Sequence, residues 1–163
     1  MVKPILSVLL AFVSAVVGVF PCSKVQMQID GKYKLCQQPK SFLRMLEKEN
    51  IELIRNEGTN DGRTVEWDNY FWYDSKDIRA HFNPKGCAVS FTVLTPKYAT
   101  NFGVKAGDST AQMLEIYGNN YTQDEYNVWY FYTKGKYCIG FRVEGEKIEC
   151  WSIFIPSDQG SEP

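Results

Sequence analysis

The hydrophobic and polar positions of this chain change period several times, and the changes divide it into elements. Residues 63–73 alternate, with Val65, Trp67, Phe71 and Tyr73 set against Glu66, Asp68, Tyr70 and Trp72, which predicts a long strand. Residues 77–83 repeat the alternation with Ile78, Ala80 and Phe82 against Arg79 and His81. After the turn formers of residues 83–86, residues 87–94 place Val89, Phe91 and Val93 on one face. A Lys85-Gly86 turn would set Phe82 opposite Val89 and Ala80 opposite Phe91, so that the apolar residues share one side. Residues 126–133, 136–143 and 146–155 predict three further strands, separated by Lys134-Gly135 and Glu144-Gly145 turns.

Helical spacing occurs twice. Pro39 suits the first turn of a helix running to about Glu49, with Phe42, Leu43 and Leu46 as its stripe and Asn50 as its stop. Residues 100–118 read as a turn, a capped helix and an exit. Ser109 or Asp108 can cap, and Ser109 with Gln112 forms a capping box. Met113, Leu114 and Tyr117 make the apolar face, and Gly118 ends it. So short a helix does not hold in water alone, so it must pack on a sheet. The predicted fold class is α+β, an antiparallel sheet with short helices on one face. Residues 23–99 and 100–156 form two tandem helix-plus-three-strand units, and a polar tail follows over 157–163. A shift of fifty-nine residues superposes Tyr132 on Tyr73, Phe141 on Phe82 and Gly145 on Gly86. A shift of sixty superposes Trp151 on Phe91 and Pro156 on Pro96, which suggests an extra residue or bulge in the last strand.

Residues 5–20 carry no charge and follow Lys3, so residues 1–22 read as a secretory signal peptide. An uncleaved anchor is the alternative, although the run is shorter than the ~20 residues that span a bilayer. A lipoprotein with lipid on Cys22 is a third reading, which Phe20 and Pro21 fit badly. The expected location is secreted or cell envelope, with membrane contact only through this segment.

With Cys22 set aside, four of the five cysteines remain, and an oxidising compartment favours pairing them. Cys138 and Cys150 flank one predicted turn. A two-residue turn would send Cys150 to the other face, whereas a three-residue turn would set the two directly across from each other. The register shift favours a Cys138–Cys150 disulfide, leaving Cys36 and Cys87 as the other possible pair.

A net charge of −1 and the lack of any basic run give no electrostatic case for nucleic acid. No C-x-x-C and no His/Cys cluster is present, so neither a metal site nor a cofactor is expected. The oxygen-rich residues 56–62 miss the spacing of a calcium loop and read as a turn. Asn120 begins a glycosylation sequon, which matters only in a glycosylating host.

The pattern T-x-x-G-[VI]-x-x-G-D-[ST] followed by a short helix ending Tyr-Gly is met here by Thr100, Gly103, Val104, Gly107, Asp108, Ser109, Tyr117 and Gly118. This half resembles secreted and membrane-attached bacterial αβββ proteins, including the β-lactamase inhibitory protein and small outer-membrane assembly lipoproteins. The first half lacks the Gly-Asp-Ser entry. The resemblance implies an extracytoplasmic, non-enzymatic module, and it carries over no functional residue.

Aromatic residues make up 15% of the chain, and their phase supplies the candidate site. With the apolar face covered by helices, the opposite face carries Trp129, Phe131, Cys138 and Arg142, and in the first half Tyr70, Trp72, Arg79 and His81. Tryptophan, tyrosine and arginine on an uncovered sheet face suit a protein or peptide partner. A packed interface between the halves would use the same residues. The alternative function is a small secreted hydrolase using His81 and acids such as Glu66, Asp68, Asp124 and Glu125. It needs carboxylates converging across a cleft, and strand neighbours point to opposite faces.

Overall fold

A computed structural model describes residues 22–54 and 71–156, with the side chains of Phe71 and Trp72 left aside. The proposed leader, the 56–62 turn, most of the 63–73 strand including Tyr70, and the C-terminal tail therefore lie outside the described residues. Two small strands, β1 (Gln28–Ile29) and β2 (Tyr33–Lys34), lead into helix α1 (Pro39–Lys48). There follow β3 (Leu53–Ile54), β4 (Phe71–Ser75), β5 (Ile78–Phe82) and β6 (Ala88–Val93), then α2 (Thr110–Tyr117), and finally β7 (Thr122–Gln123), β8 (Trp129–Lys134), β9 (Tyr137–Glu144) and β10 (Lys147–Phe154).

β1 and β2 form their own antiparallel pair. The other eight strands make one antiparallel sheet in the order β3-β4-β5-β6-β10-β9-β8-β7. The fold is α+β, as the alternation and the two helical stripes predict. The order of the second four strands mirrors that of the first, so β6 and β10 meet at the centre.

Both helices and the β1–β2 pair cover the same face. Phe42 and Leu46 of α1, Met113 and Tyr117 of α2, and Ile29 and Tyr33 of the lead-in all join one core with Ile78, Phe82, Phe91, Phe141, Trp151 and Ile153. The two helices use matching anchors. Phe42 sits 6.1 Å from Tyr73 and 6.0 Å from Phe82, while Tyr117 sits 5.2 Å from Tyr132 and 4.9 Å from Phe141. Edge and tilted aromatic contacts of this kind add to the burial of the rings themselves.

Local chemistry accounts for the ends of the helices. The Ser109 side chain accepts a hydrogen bond from the Gln112 backbone N–H at 3.1 Å, and Gly118 leaves α2 with a positive φ of 84°. Pro39 opens α1, and Asn50, with φ of 53°, follows its end. At that end the Glu49 carboxylate accepts from the Tyr98 hydroxyl and, at 3.3 Å, from the Tyr33 hydroxyl. Lys32 Nζ lies 2.7 Å from it and Lys97 Nζ 3.6 Å. This network ties the lead-in, α1 and the segment after β6 together.

The turns fall one residue later than expected from the dipeptides, which slips the pairing by two. Lys134 pairs with Tyr137 and Glu144 with Lys147, so Gly135-Lys136 and Gly145-Glu146 make the turns. A slip of two preserves every face assignment, because side chains alternate with period two. In the β5–β6 hairpin Ala80 does pair with Phe91. A register shift between His81 and Phe82 sets Phe82 opposite Ala88 instead of Val89. A β-bulge, expected in the last strand, is present between Ile148 and Cys150.

That bulge does not bring the cysteines together. Cys150 pairs with Arg142 and Cys138 with Phe154, so the two thiols stand four positions apart along β9, about 13 Å at strand rise. Both are free and buried, and the expected Cys138–Cys150 disulfide is absent. The longer β9–β10 hairpin moves the register beyond the slip that a three-residue turn would supply.

Candidate functional site

The face opposite the helices reads as rows across the sheet. One row runs Thr122, Phe131, Gly140, Ser152, Thr92, Arg79, Asp74; a second runs Thr133, Cys138, Phe154, Ser90, His81, Trp72; a third begins Trp129, Arg142, Cys150. Register therefore places Trp72, Arg79, His81, Trp129, Phe131 and Arg142 on this one face, as their phase predicts. They do not form one cluster. β8 and β5 are separated by three intervening strands, about 19 Å, so the aromatic residues of the second half and the basic residues of the first define separate patches.

The second-half patch is the better built. The Trp129 and Phe131 rings lie nearly parallel, 5.8 Å apart with an interplanar angle of 5°, and Phe154 meets Phe131 edge-on at 5.8 Å. All three are half-buried. Gly140 makes the arrangement possible. A Cβ there would come within 2.9 Å of Phe131 Cδ1 and 3.3 Å of Trp129 Cε3, so both rings lie down against the bare backbone of β9. Asp124 holds the entry to β8 by accepting from the N–H groups of Val128 at 2.9 Å and Trp129 at 3.0 Å. Arg142, across from Trp129, ion-pairs with Glu149, which occupies the bulge of β10. The bulge thus aims a carboxylate at Arg142, beside the aromatic pair.

Sequence phase alone does not find Gly140 or Phe154. A glycine inside an apolar strand is a usable sign of close approach, and Gly140 has that context. The face of Phe154 depends on the bulge, which reverses alternation part-way along β10.

Between the two patches lies a strip of small polar side chains. Ser90 and Ser152 are buried, and the Thr92 and Ser152 hydroxyls lie 2.7 Å apart. Burial pushes the Cys138 thiol up to about 12, although a backbone hydrogen bond works against it. The Cys150 thiol goes up to about 11 through burial and the Glu149 charge, opposed by Arg142 and Arg79. Both stay protonated at neutral pH and act as small apolar groups.

In the first-half patch Arg79 bonds Asp74, and His81 lies across from Ser90 on one side and Trp72 on the other. Burial lowers the His81 pKa, the Arg79 charge lowers it further, and Asp74 opposes both. His81 is therefore neutral at pH 7. Asp74 faces Arg79 and Asp124 caps the turn before β8, while Glu66 and Asp68 lie outside the described residues. Among the described residues no group of three His, Cys, Asp or Glu side chains is placed to hold a metal ion, and no helix is long and apolar enough to cross a membrane.

The fold and this face define the protein as an antiparallel α+β sheet with helices on one side and an aromatic patch on the other. Comparison with protein families, with curated proteins and with solved structures finds no match to the chain.

Proposed function

We propose that this chain is an extracytoplasmic, non-enzymatic binding module that meets a protein or peptide partner through the patch of Trp129, Phe131 and Phe154, with Arg142 at its rim. The observation that carries the reading is the pair of parallel rings lying on Gly140, half-exposed on the sheet face the helices leave uncovered. Such rings offer a partner a large, rigid contact with little side-chain entropy left to lose. The Arg142–Glu149 pair supplies donors and acceptors at the edge.

We infer further that the two halves are copies of one unit. Under the shift of fifty-nine, the β4–β5 pair Tyr73–Ala80 becomes the β8–β9 pair Tyr132–Ile139, and Phe71–Phe82 becomes Tyr130–Phe141. Each helix anchor also meets corresponding aromatics. The register of β10 on β9 makes Ile153 the counterpart of Phe91, because both face the residues paired by that shift, Ile139 and Ala80. The shift in this strand is thus sixty-two, in place of sixty. Tandem units of this kind agree with the resemblance of residues 100–155 to secreted αβββ proteins. The uncharged residues 5–20 support export. Intact mass of protein from the native envelope or medium should then show a start between about residues 16 and 25, and a soluble cytosolic species beginning at Met1 would refute export.

The binding reading is tested by partner capture from the extracytoplasmic fraction with matched variants. Trp129→Ala should weaken capture by about 2 kcal/mol or more while leaving stability little changed. Phe141→Ala, which removes a buried ring beneath α2, should cost about 3–5 kcal/mol of stability. Equal capture by wild type and Trp129→Ala would end this reading.

A further inference from the structure

The β5–β6 turn and the chain entering α1 are held against each other more firmly than a surface contact requires. The turn is tight. The Asn83 side-chain oxygen accepts from the N–H groups of Lys85 and Cys87 at 3.1 and 2.9 Å, and Asn83 N–H donates to the Cys87 carbonyl at 2.9 Å. Gly86, with φ of +74°, packs its bare Cα under the start of α1, where a Cβ would stand 3.1 Å from Gln38 Oε1 and 3.8 Å from Pro39 Cδ. Just beyond, Cys36 N–H donates to the Ala88 carbonyl at 2.7 Å, and Ala88 N–H donates to the Gln37 carbonyl at 3.0 Å. These bonds bring Cys36 and Cys87 near one another, though not at disulfide distance. Cys36 is exposed and sits in the left-handed region, with φ of 68°, while Cys87 is half-buried. The Gln38 N-cap makes no side-chain bond to α1, and the strap of residues 36–37 ties the chain entering that helix to Ala88 of β6.

We propose that Cys36 and Cys87 form a redox-dependent disulfide that staples the entry of α1 to the β5–β6 turn. The oxidant is a low-molecular-weight disulfide such as oxidised glutathione. The Cys36 thiolate attacks one of its sulfurs, forming a mixed disulfide and releasing one thiol. The Cys87 thiolate then attacks the Cys36 sulfur and releases the second. Two protein thiols are oxidised to one disulfide, and one glutathione disulfide is reduced to two glutathiones. The protein selects this pair. Cys138 and Cys150 are buried, four positions apart and held protonated, and Cys36 presents the exposed thiol at which exchange begins. The staple closes a long loop of chain, the case in which cross-linking restricts the unfolded ensemble most. It does not depend on the binding reading.

The test equilibrates the protein with glutathione disulfide, traps remaining thiols with N-ethylmaleimide and maps peptides without reduction. A Cys36–Cys87 peptide pair is expected as the main product, with Cys138 and Cys150 alkylated only after denaturation. Unbridged Cys36 and Cys87, a mixed glutathione adduct that goes no further, or a bridge from either to another cysteine would overturn the proposal. Thermal unfolding provides the second readout. Oxidation should raise the Tm by ~5–15 °C in wild type and not in Cys36→Ser, while the two proteins melt alike under reducing conditions. A rise that survives in Cys36→Ser, or no rise in a bridged wild type, would equally overturn it.

Discussion

Gly140 shows how one missing methyl group can shape a surface. Replacing it with Ala relieves the conformational cost of glycine in a strand, worth roughly 0.5–1 kcal/mol, but pushes a Cβ against the Phe131 ring, and overpacking typically costs roughly 1–3 kcal/mol. The second effect is larger. Gly140→Ala should therefore destabilise the protein by about 1 kcal/mol and lift both rings from the sheet, with a shift in tryptophan emission and weaker partner capture. Urea unfolding and fluorescence check this, and a more stable variant with unchanged emission would mean that the rings do not rest on Gly140. The candidate residues named by phase, Trp72, Arg79, His81, Trp129, Phe131 and Arg142, do occupy one face. Alternation tells which side a residue takes, but not which distant strand stands beside it.

At the scale of elements, the end of α1 carries the clearest electrostatic commitment. Burial works to raise the Glu49 carboxyl, but hydrogen bonds from Lys32 and Tyr98, with the charges of Lys32 and Lys97, outweigh it and bring the pKa below its ordinary 4.5. A carboxyl depressed in the folded state contributes stability that is fully present above its unfolded value and is lost as the pH falls through the folded one. The wild type should thus lose stability as acid is added from about pH 5 downward. Glu49→Gln, weaker at pH 7, should show a shallower acid limb in plots of urea midpoint against pH. Parallel limbs in the two proteins would refute this role for Glu49. The helices themselves were legible from short signals, Pro39 for α1 and Ser109 with Gly118 for α2, because capping is local chemistry. Hairpin registers were legible only to within two residues, since a Gly-containing dipeptide fits the turn at either end, and the Cys138–Cys150 expectation fell to that uncertainty together with the bulge at residues 148–150.

For the molecule as a whole, the joint between β6 and β10 and a core that runs from Ile29 to Ile153 predict a single unfolding event. Calorimetric and van't Hoff enthalpies should agree, and residues 100–156 expressed alone should not hold a native fold, because β10 would lose its partner and bare an apolar edge strand. Two separable transitions would show that the halves fold independently. By itself the sequence determined the helices, most of the strands, the α+β class and, in strands without a bulge, the side of the sheet each residue takes, since all of these follow from nearest neighbours and from periods of two and 3.6. Only the tertiary structure decided that the third strands of the two halves meet at the centre, that the strand of Trp129 and Phe131 lies about 19 Å from the strand of Arg79 and His81, that Phe154 joins the aromatic pair, and that Cys36, not Cys138, finds a neighbouring thiol. These depend on pairings between residues far apart in the chain, where register slips, a bulge and the choice of neighbouring strand combine, and no local pattern encodes their outcome.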